Sequence, residues 1–306
     1  MSVKCSKCEK SAVYLRRYTN ERLCVSCLLE CTLDRVRRTI NKYDMLKRHD
    51  RIAVAISGGK DSAALLDILV RIEDAYSESE ILPFTIDEGI MGYRDEALKA
   101  AKKLVGLHGL DLHIWSFNEL FGKTLDEIVK NRSDTSFGAC SYCGVFRRKA
   151  MNDAAIALDA DVVATGHIMD DEAQTILMNI MRGDTRRITR GNRFRANPVD
   201  GFIPRIKPLM GISQRDVIAY THYMHLPYHD VPCPYAEEAY RSEVRIFLNK
   251  MEYRHPGTFL AILSSGDVIS KSLLTRPSDS TFRKCDKCGS PTPRNVCKAC
   301  SLLEEL

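Results

Sequence analysis

The sequence predicts an α/β fold: a parallel sheet flanked by helices, with a helical C-terminal extension and a small metal-held module at each end. Three observations predict it. Strand-like and helix-like patterns alternate from Arg51 onward, the glycine turn of residues 57–62 joins the first strand to the first helix, and CxxC pairs open and close the chain. Repeated strand–helix units imply a parallel sheet covered on both faces. Ligands of such sheets sit beyond the carboxyl ends of the strands.

Each element follows from its pattern. Residues 51–56 (RIAVAI) form a short apolar strand, and 61–72 a helix with Ala64, Leu65, Ile68 and Leu69 on one stripe. Strand 81–86, helix 94–107, strand 112–116 and a helix near 118–130 continue the alternation. Helix 144–158, strand 161–165 (DVVAT) and helix 171–181 complete it. Helices are expected over 213–226, 236–253 and 258–263, and the polar stretch 265–284 reads as a linker. The segmentation that results is an N-terminal module of residues 1–33, a basic linker helix of 34–50, and a nucleotide-binding domain of 51–230. A helical extension and linker of 231–280 and a C-terminal module of 281–306 follow.

The 306 residues are 44% hydrophobic and 28% charged, ordinary for a globular protein. No signal-like segment opens the chain and no apolar run approaches a membrane span, so a soluble cytoplasmic protein without a membrane partner is expected. The net charge of +5 says little, but its distribution is uneven. Six arginines against one aspartate lie between Arg182 and Arg195, and seven basic residues against two acidic ones between Arg35 and Arg51. Clustered basic charge is the footprint of a polyanion partner, or else a solvated face.

Twelve cysteines are the loudest signal. Cys5, Cys8, Cys24 and Cys27 form two CxxC pairs at one end; Cys285, Cys288, Cys297 and Cys300 form two at the other. Two knuckles brought together suit a tetrahedral all-cysteine zinc site. Neither segment has apolar residues enough for its own core, so a zinc ion at each end would supply folding energy. Cys31 is left over as a packed thiol.

After the first strand come Ser57, Gly58, Gly59, Lys60, Asp61 and Ser62 (SGGKDS), opening into a helix. Two glycines let the backbone approach an anion, and the helix start offers unpaired N–H groups. This turn resembles the PP-loop of the ATP-pyrophosphatase superfamily, whose members release pyrophosphate from ATP and leave AMP on the substrate. Residues 164–171 (ATGHIMDD) resemble that superfamily's second motif. The resemblance implies ATP contacts at Ile56, the SGGKDS residues, Thr165, Gly166, His167 and Asp171. Asp171 would serve as a Mg²⁺ ligand or substrate-orienting group, while Asp170 or Asp171 would cap the following helix. Asp87, ending the second strand (FTIDEG), is a further nucleotide contact by resemblance.

Cys140 and Cys143 lie in GACSYCGVFRRK at a helix start, and Cys233 far downstream between two prolines. Their spacing fits an iron–sulfur cluster, a zinc site completed by His222, His225 or His229, or a redox pair. Together with SGGKDS and the terminal CxxC modules, they make the whole chain similar to the tRNA 2-thiouridine synthetases of archaea and eukaryotic cytosol. That resemblance implies that Cys140, Cys143 and Cys233 carry a [4Fe–4S] cluster whose open iron holds a sulfide. Arg147 stands where some relatives place a lysine and would stabilise phosphate or substrate without moving a proton. Catalysis would then rest on Cys140, Cys143, Cys233, Lys60, Asp171 and Arg147. The partners implied are tRNA, a second copy of the chain, and a sulfur donor, whether free sulfide, a persulfide carrier or a ubiquitin-like thiocarboxylate.

The tail of residues 296–306 is closer to the wobble-uridine branch than to the T-loop branch. The alternatives are persulfide-based thiolation without a cluster, a zinc-stabilised RNA-binding protein with a regulatory ATP loop, and adenylation of a small molecule.

Overall fold

The computed structural model describes residues 3–73, 78–132, 138–190, 194–195, 200–236, 241–273 and 282–306. Five strands build the central sheet. In chain order they are β3 (Arg51–Ala55), β4 (Glu80–Asp87), β5 (His113–Ser116), β6 (Val162–Ala164) and β7 (Arg205–Ile206), following the small N-terminal strands β1 (Tyr14–Arg16) and β2 (Glu21–Leu23). The sheet order is β5-β4-β3-β6-β7, and every pair is parallel.

Buried strands with alternating faces divide the core in two. Ile52, Val54, Val162 and Ala164 face one apolar cluster, and Ala53 and Val163 the other. The first cluster takes in α1 (Val25–Lys42), α2 (Lys60–Glu73), α3 (Arg94–Leu107) and α9 (Gln214–Tyr223). The second takes in α4 (Phe117–Phe121), α5 (Leu125–Asn131), α6 (Ala139–Ala157) and the C-terminal α12 (Lys298–Glu304). A third, smaller cluster joins α7 (Met169–Met181) to α10 (Arg241–Arg254) and α11 (Thr258–Leu273). Strand order reverses between β3 and β6, and both nucleotide motifs follow these two strands. They therefore flank the crevice where such sheets bind ligands.

The structure departs from the sequence reading in several elements. The helix expected near 118–130 is two, because Gly122 adopts a left-handed conformation that ends α4, and Thr124 then caps α5. Helix α6 begins at Ala139, five residues before the expected start, so both cysteines of its CxxC lie within it. Strand β7 was not anticipated; two residues are too few to show alternation. The basic segment after residue 34 is no separate helix, since α1 begins at Val25. The supposed linker is helical as far as Leu273, where α11 packs on α7 and on α8 (Thr185–Arg190). Residues 274–281 of that linker, 237–240 of the expected helix 236–253, and Arg193 lie outside the described residues. Strands β8 (Arg283–Lys284) and β9 (Pro291–Thr292) pair antiparallel in the C-terminal module.

Both terminal modules are bolted to the body. Arg16 is fully buried and donates to Asp216 of α9 at 2.8 Å, while Tyr18 and Ser213 hydroxyls reach the same carboxylate at 2.6 and 2.7 Å. At the other end Lys149 of α6 donates to Ser290 at 2.9 Å, and Cys285, Cys297, Cys300 and Leu302 pack into the second core cluster.

Candidate functional site

The turn after β3 is tightly organised. The Ser57 amide and hydroxyl both meet the Ser62 hydroxyl at 3.1 Å, and that hydroxyl donates to the Gly59 carbonyl at 2.9 Å. Gly58 has φ +88, and a Cβ there would lie 2.4 Å from the Ala97 carbonyl oxygen of α3. Only glycine fits. The second motif leans on the same turn: a Cβ on Gly166 would come within 3.0 Å of the Asp61 and Ser62 backbone. Thr165 and His167 are joined at 2.8 Å between hydroxyl and Nδ1, while the Thr165 hydroxyl donates to the Ile206 carbonyl. That arrangement places the imidazole proton on Nδ1. Burial, helped by Lys207, lowers the His167 pKa, favouring the neutral ring.

Asp61 carries one oxygen 3.0 Å from the Lys60 ammonium and a second, buried oxygen without a partner among the described residues. Burial raises its pKa against the pull of Lys60, and Asp171 adds to the rise. A buried orphan oxygen beside another carboxylate is the environment that a divalent cation satisfies. The residues therefore fit Mg²⁺. Asp171 caps α7 by accepting from the Ile168 amide at 3.2 Å and turns its other oxygen toward Arg241 at 3.5 Å. Asp170 is the more structural of the two: buried, it accepts from the Gln214 amide at 2.9 Å, and burial pushes its pKa up to about 6. Asp87 uses one oxygen to accept from the Gly89 amide within its own turn.

The three central cysteines open onto one cleft. Cys140, Cys143 and Cys233 line this cleft of about 330 Å³ together with Arg147, Asp171 and Arg241. Cys140 and Cys143 lie in the first two turns of α6. Cys140 is exposed and donates to the Tyr235 carbonyl at 3.4 Å. Cys143 is buried, and burial pushes its thiol up to about 11 although Arg147 donates to its sulfur at 3.3 Å.

The two terminal sets differ in geometry from the central trio. In each, four sulfurs lie within 4.8 Å of one another, with Cys8–Cys24 at 3.6 Å and Cys8–Cys27 and Cys288–Cys297 at 3.7 Å. A tetrahedral ion with Zn–S bonds of about 2.3 Å needs sulfurs about 3.8 Å apart. The terminal sets fit zinc, and the central three do not form such a tight group. Three thiols converging on one cleft, beside a cation that balances their charge, fit the ligand set of an iron–sulfur cluster. His222, His225 and His229 do not line this cleft. Instead the His229 amide donates to the Gly58 carbonyl at 2.8 Å, which puts that residue at the nucleotide turn.

Sequence reading missed the link between the turn and the thiols. Glu88, almost fully buried, binds Arg94 at 3.3 Å and Arg147 at 2.8 Å. Arg94 in turn donates to the Ser57 carbonyl at 2.7 Å, and Arg147 to Cys143. Glu88 holds the Arg147 guanidinium protonated more firmly than usual. An acid one residue beyond Asp87 in FTIDEG was the available signal.

Several residues of the basic strips are engaged within the chain; the side chains of Arg186, Arg190 and Arg193 lie outside the described residues. Lys42 pairs with Asp267, Arg48 with Glu78, and Arg51 with Glu80. Arg195 forms a two-pronged pair with buried Asp50 at 2.7 and 2.8 Å. Part of this charge therefore ties helices and loops together.

A family model described as a PP-loop domain matches residues 32–252. The cytoplasmic tRNA 2-thiolation protein 1 of Drosophila sechellia is 37% identical over 305 residues, covering 98% of this chain and 87% of the relative. Its counterpart from Danio rerio is 36% identical over 310 residues, covering 100% and 89%. Among solved structures, the U34-tRNA thiolase NcsA from Methanococcus maripaludis with its [4Fe-4S] cluster is 32% identical. It superposes with a TM-score of 0.86 over 100% of this chain and 97% of that one. On a match that runs from one cysteine module to the other, the chain belongs to the PP-loop family, in the branch of the tRNA 2-thiolation proteins.

Proposed function

We propose that this chain is a cytoplasmic, ATP-dependent tRNA sulfurtransferase that replaces the C2 oxygen of a uridine, at the wobble position, with sulfur. The observation that carries this reading is the single cleft onto which Cys140, Cys143, Cys233, Arg147 and Asp171 all open. Its end-to-end likeness to a U34-tRNA thiolase supports the choice of substrate. Function is argued from this site and not from the fold, which hosts other chemistries.

Gly58, Gly59 and the first amides of α2 receive the polyphosphate of ATP. Asp61 and Asp171 would hold Mg²⁺ against it. Cys140, Cys143 and Cys233 would hold a [4Fe–4S] cluster, which supplies a Lewis-acidic iron free of protein thiolate where sulfide can be kept. The two terminal cysteine sets would each hold a structural zinc ion.

The reacting uridine leaves its stack, because its C2 edge is otherwise out of reach. Its oxygen forms a bond to the α-phosphorus while the bond to pyrophosphate breaks. A sulfur nucleophile then bonds to C2, the C2–O bond breaks, and AMP departs with the former uridine oxygen. With sulfide as the donor, no electrons are exchanged. Lys60 and Arg147 stabilise the charge that develops on phosphate, as fixed donors do in a site shielded from water. Free sulfide meets this chemistry directly; a ubiquitin-like thiocarboxylate meets it once water has cleaved its acyl group to a carboxylate, and a persulfide carrier only when a second thiol cleaves the S–S bond and ends as a disulfide. A homodimer is the assembly the family resemblance implies.

The test combines Lys60→Ala with anaerobic purification. The variant is expected to lose pyrophosphate release and thiolation by roughly 100-fold or more. Unchanged rates would refute the enzymatic reading. The wild-type protein is expected to be brown, with iron bound. A colourless, iron-free protein that thiolates tRNA at full rate would replace the cluster with a persulfide on Cys140 or Cys233.

A further inference from the structure

We infer that a second cavity, beside the cysteine cleft, is a nucleobase pocket that receives a neighbour of the reacting uridine. The inference rests on the tRNA reading above and deepens it. The cavity measures about 420 Å³ and lies between the N-terminal module, the start of α9 and the C-terminal half of α10. Tyr14, Tyr18 and Tyr253 supply aromatic walls.

Its relation to the cleft is set by two shared elements. Asp170 lines the cavity and Asp171 the cleft, so consecutive residues of α7 divide one space from the other. Helix α10 runs along both. Arg241 and Arg245 line the cleft, whereas Asn249 and Tyr253 line the cavity. These four positions recur every fourth residue and so form one stripe on the helix. The rise from Arg245 to Asn249 is about 6 Å. A single strand laid along this stripe would set phosphates on the arginines and a base against the tyrosine.

The chemistry of the pocket suits a base. Tyr253 is 65% exposed, and the Arg17 guanidinium lies 4.7 Å from its ring centroid, fixed by a 3.0 Å bond to the Tyr253 carbonyl. Bases stack on such rings irrespective of their identity. The acids present are occupied by backbone amides: Glu252 accepts from Gly257 and Phe259, and Asp170 from Gln214. The side-chain amide of Asn249 bonds to no other described residue, which leaves a donor and an acceptor for a base edge.

The experiment uses the full-length protein and a hairpin RNA whose loop carries the target uridine, with 2-aminopurine placed on one side of it or the other. At one of the two positions, binding is expected to quench the fluorescence with wild type but not with Tyr253→Ala. RNA affinity is expected to fall about fivefold or more, the low end for one stacked base, while ATP binding measured without RNA stays at the wild-type value. Asn249→Ala, at a second exposed position, is expected to weaken RNA binding without abolishing quenching. Equal quenching and equal affinity in wild type and Tyr253→Ala overturn the inference, as does quenching at neither position. The tRNA reading fails separately: there the wild-type enzyme would not thiolate tRNA at all.

Discussion

The terminal cysteine sets and the central trio use the same side chain for opposite ends. At each terminus four sulfurs crowd within 4.8 Å, their spacing already that of a tetrahedron around zinc. The central three come from a helix start and a proline-flanked turn about 90 residues away, and they open onto a cleft with arginine and aspartate. Closed, fully supplied coordination marks a structural site, and an unfilled position marks a reactive one. The difference teaches that cysteine count says little until one asks whether the set is closed.

The largest expected effect breaks the comparison from both sides. Cys143→Ser should cut thiolation on the order of 100-fold or more, beyond the usual cost of losing a ligand's supporting partner. Zinc content and thermal midpoint should stay near wild type. Cys297→Ser should do the reverse in stability, removing one zinc and roughly 5 kcal/mol or more. Metal analysis and denaturation of both variants give the answer; equal losses of stability would erase the distinction.

Next comes the buried anchor of the N-terminal module. Arg16→Ala leaves Asp216 buried with only hydroxyl partners and should destabilise by about 3 kcal/mol. Zinc loss under denaturant should then begin at the N-terminal set and not the C-terminal one. An unchanged denaturation midpoint would show that the module is held by its metal alone.

The smallest effect lies at the seam between the regions, at Asp170. Its pKa is raised to about 6 by burial, above the value of an unfolded carboxylate. The group favours folding in full below about pH 3.9, and that contribution is lost as pH rises through about 6. Asp170→Asn should therefore stabilise the protein at pH 7–8 by up to about 3 kcal/mol, a gain that fades as pH falls toward 4. Denaturation across that range measures it, and a pH-independent difference would exclude the cause.

Much of this was legible in the chain because the signals are local. Periodicity located β3, α2, β4 and α3 to within a few residues, and SGGKDS announced its turn because two glycines and a helix start are chemically explicit. The break at Gly122 was missed, although Ser116 with Glu119 and Thr124 with Glu127 each make a capping box that local spacing carries. What stayed hidden depends on distant pairing. Arg195 looked like an RNA contact because its partner Asp50 lies 145 residues away. Glu88 looked like a strand end because Arg94 and Arg147 reach it only once the sheet has formed. The second half of α11 read as a linker because its serines and glycine are polar, yet there Gly266 packs directly against the Ile176 side chain of α7.

Helix α1 carries a mechanical consequence. It begins one residue past Cys24 of the four-cysteine set, contains Cys27, and continues without a break to Val36 and Ile40 in the main core. The N-terminal knuckle is thus no bead on a string but the head of a rigid strut driven into the body, without a hinge between them. Chelation would therefore fray the nucleotide-binding domain from one end instead of releasing a tethered appendage.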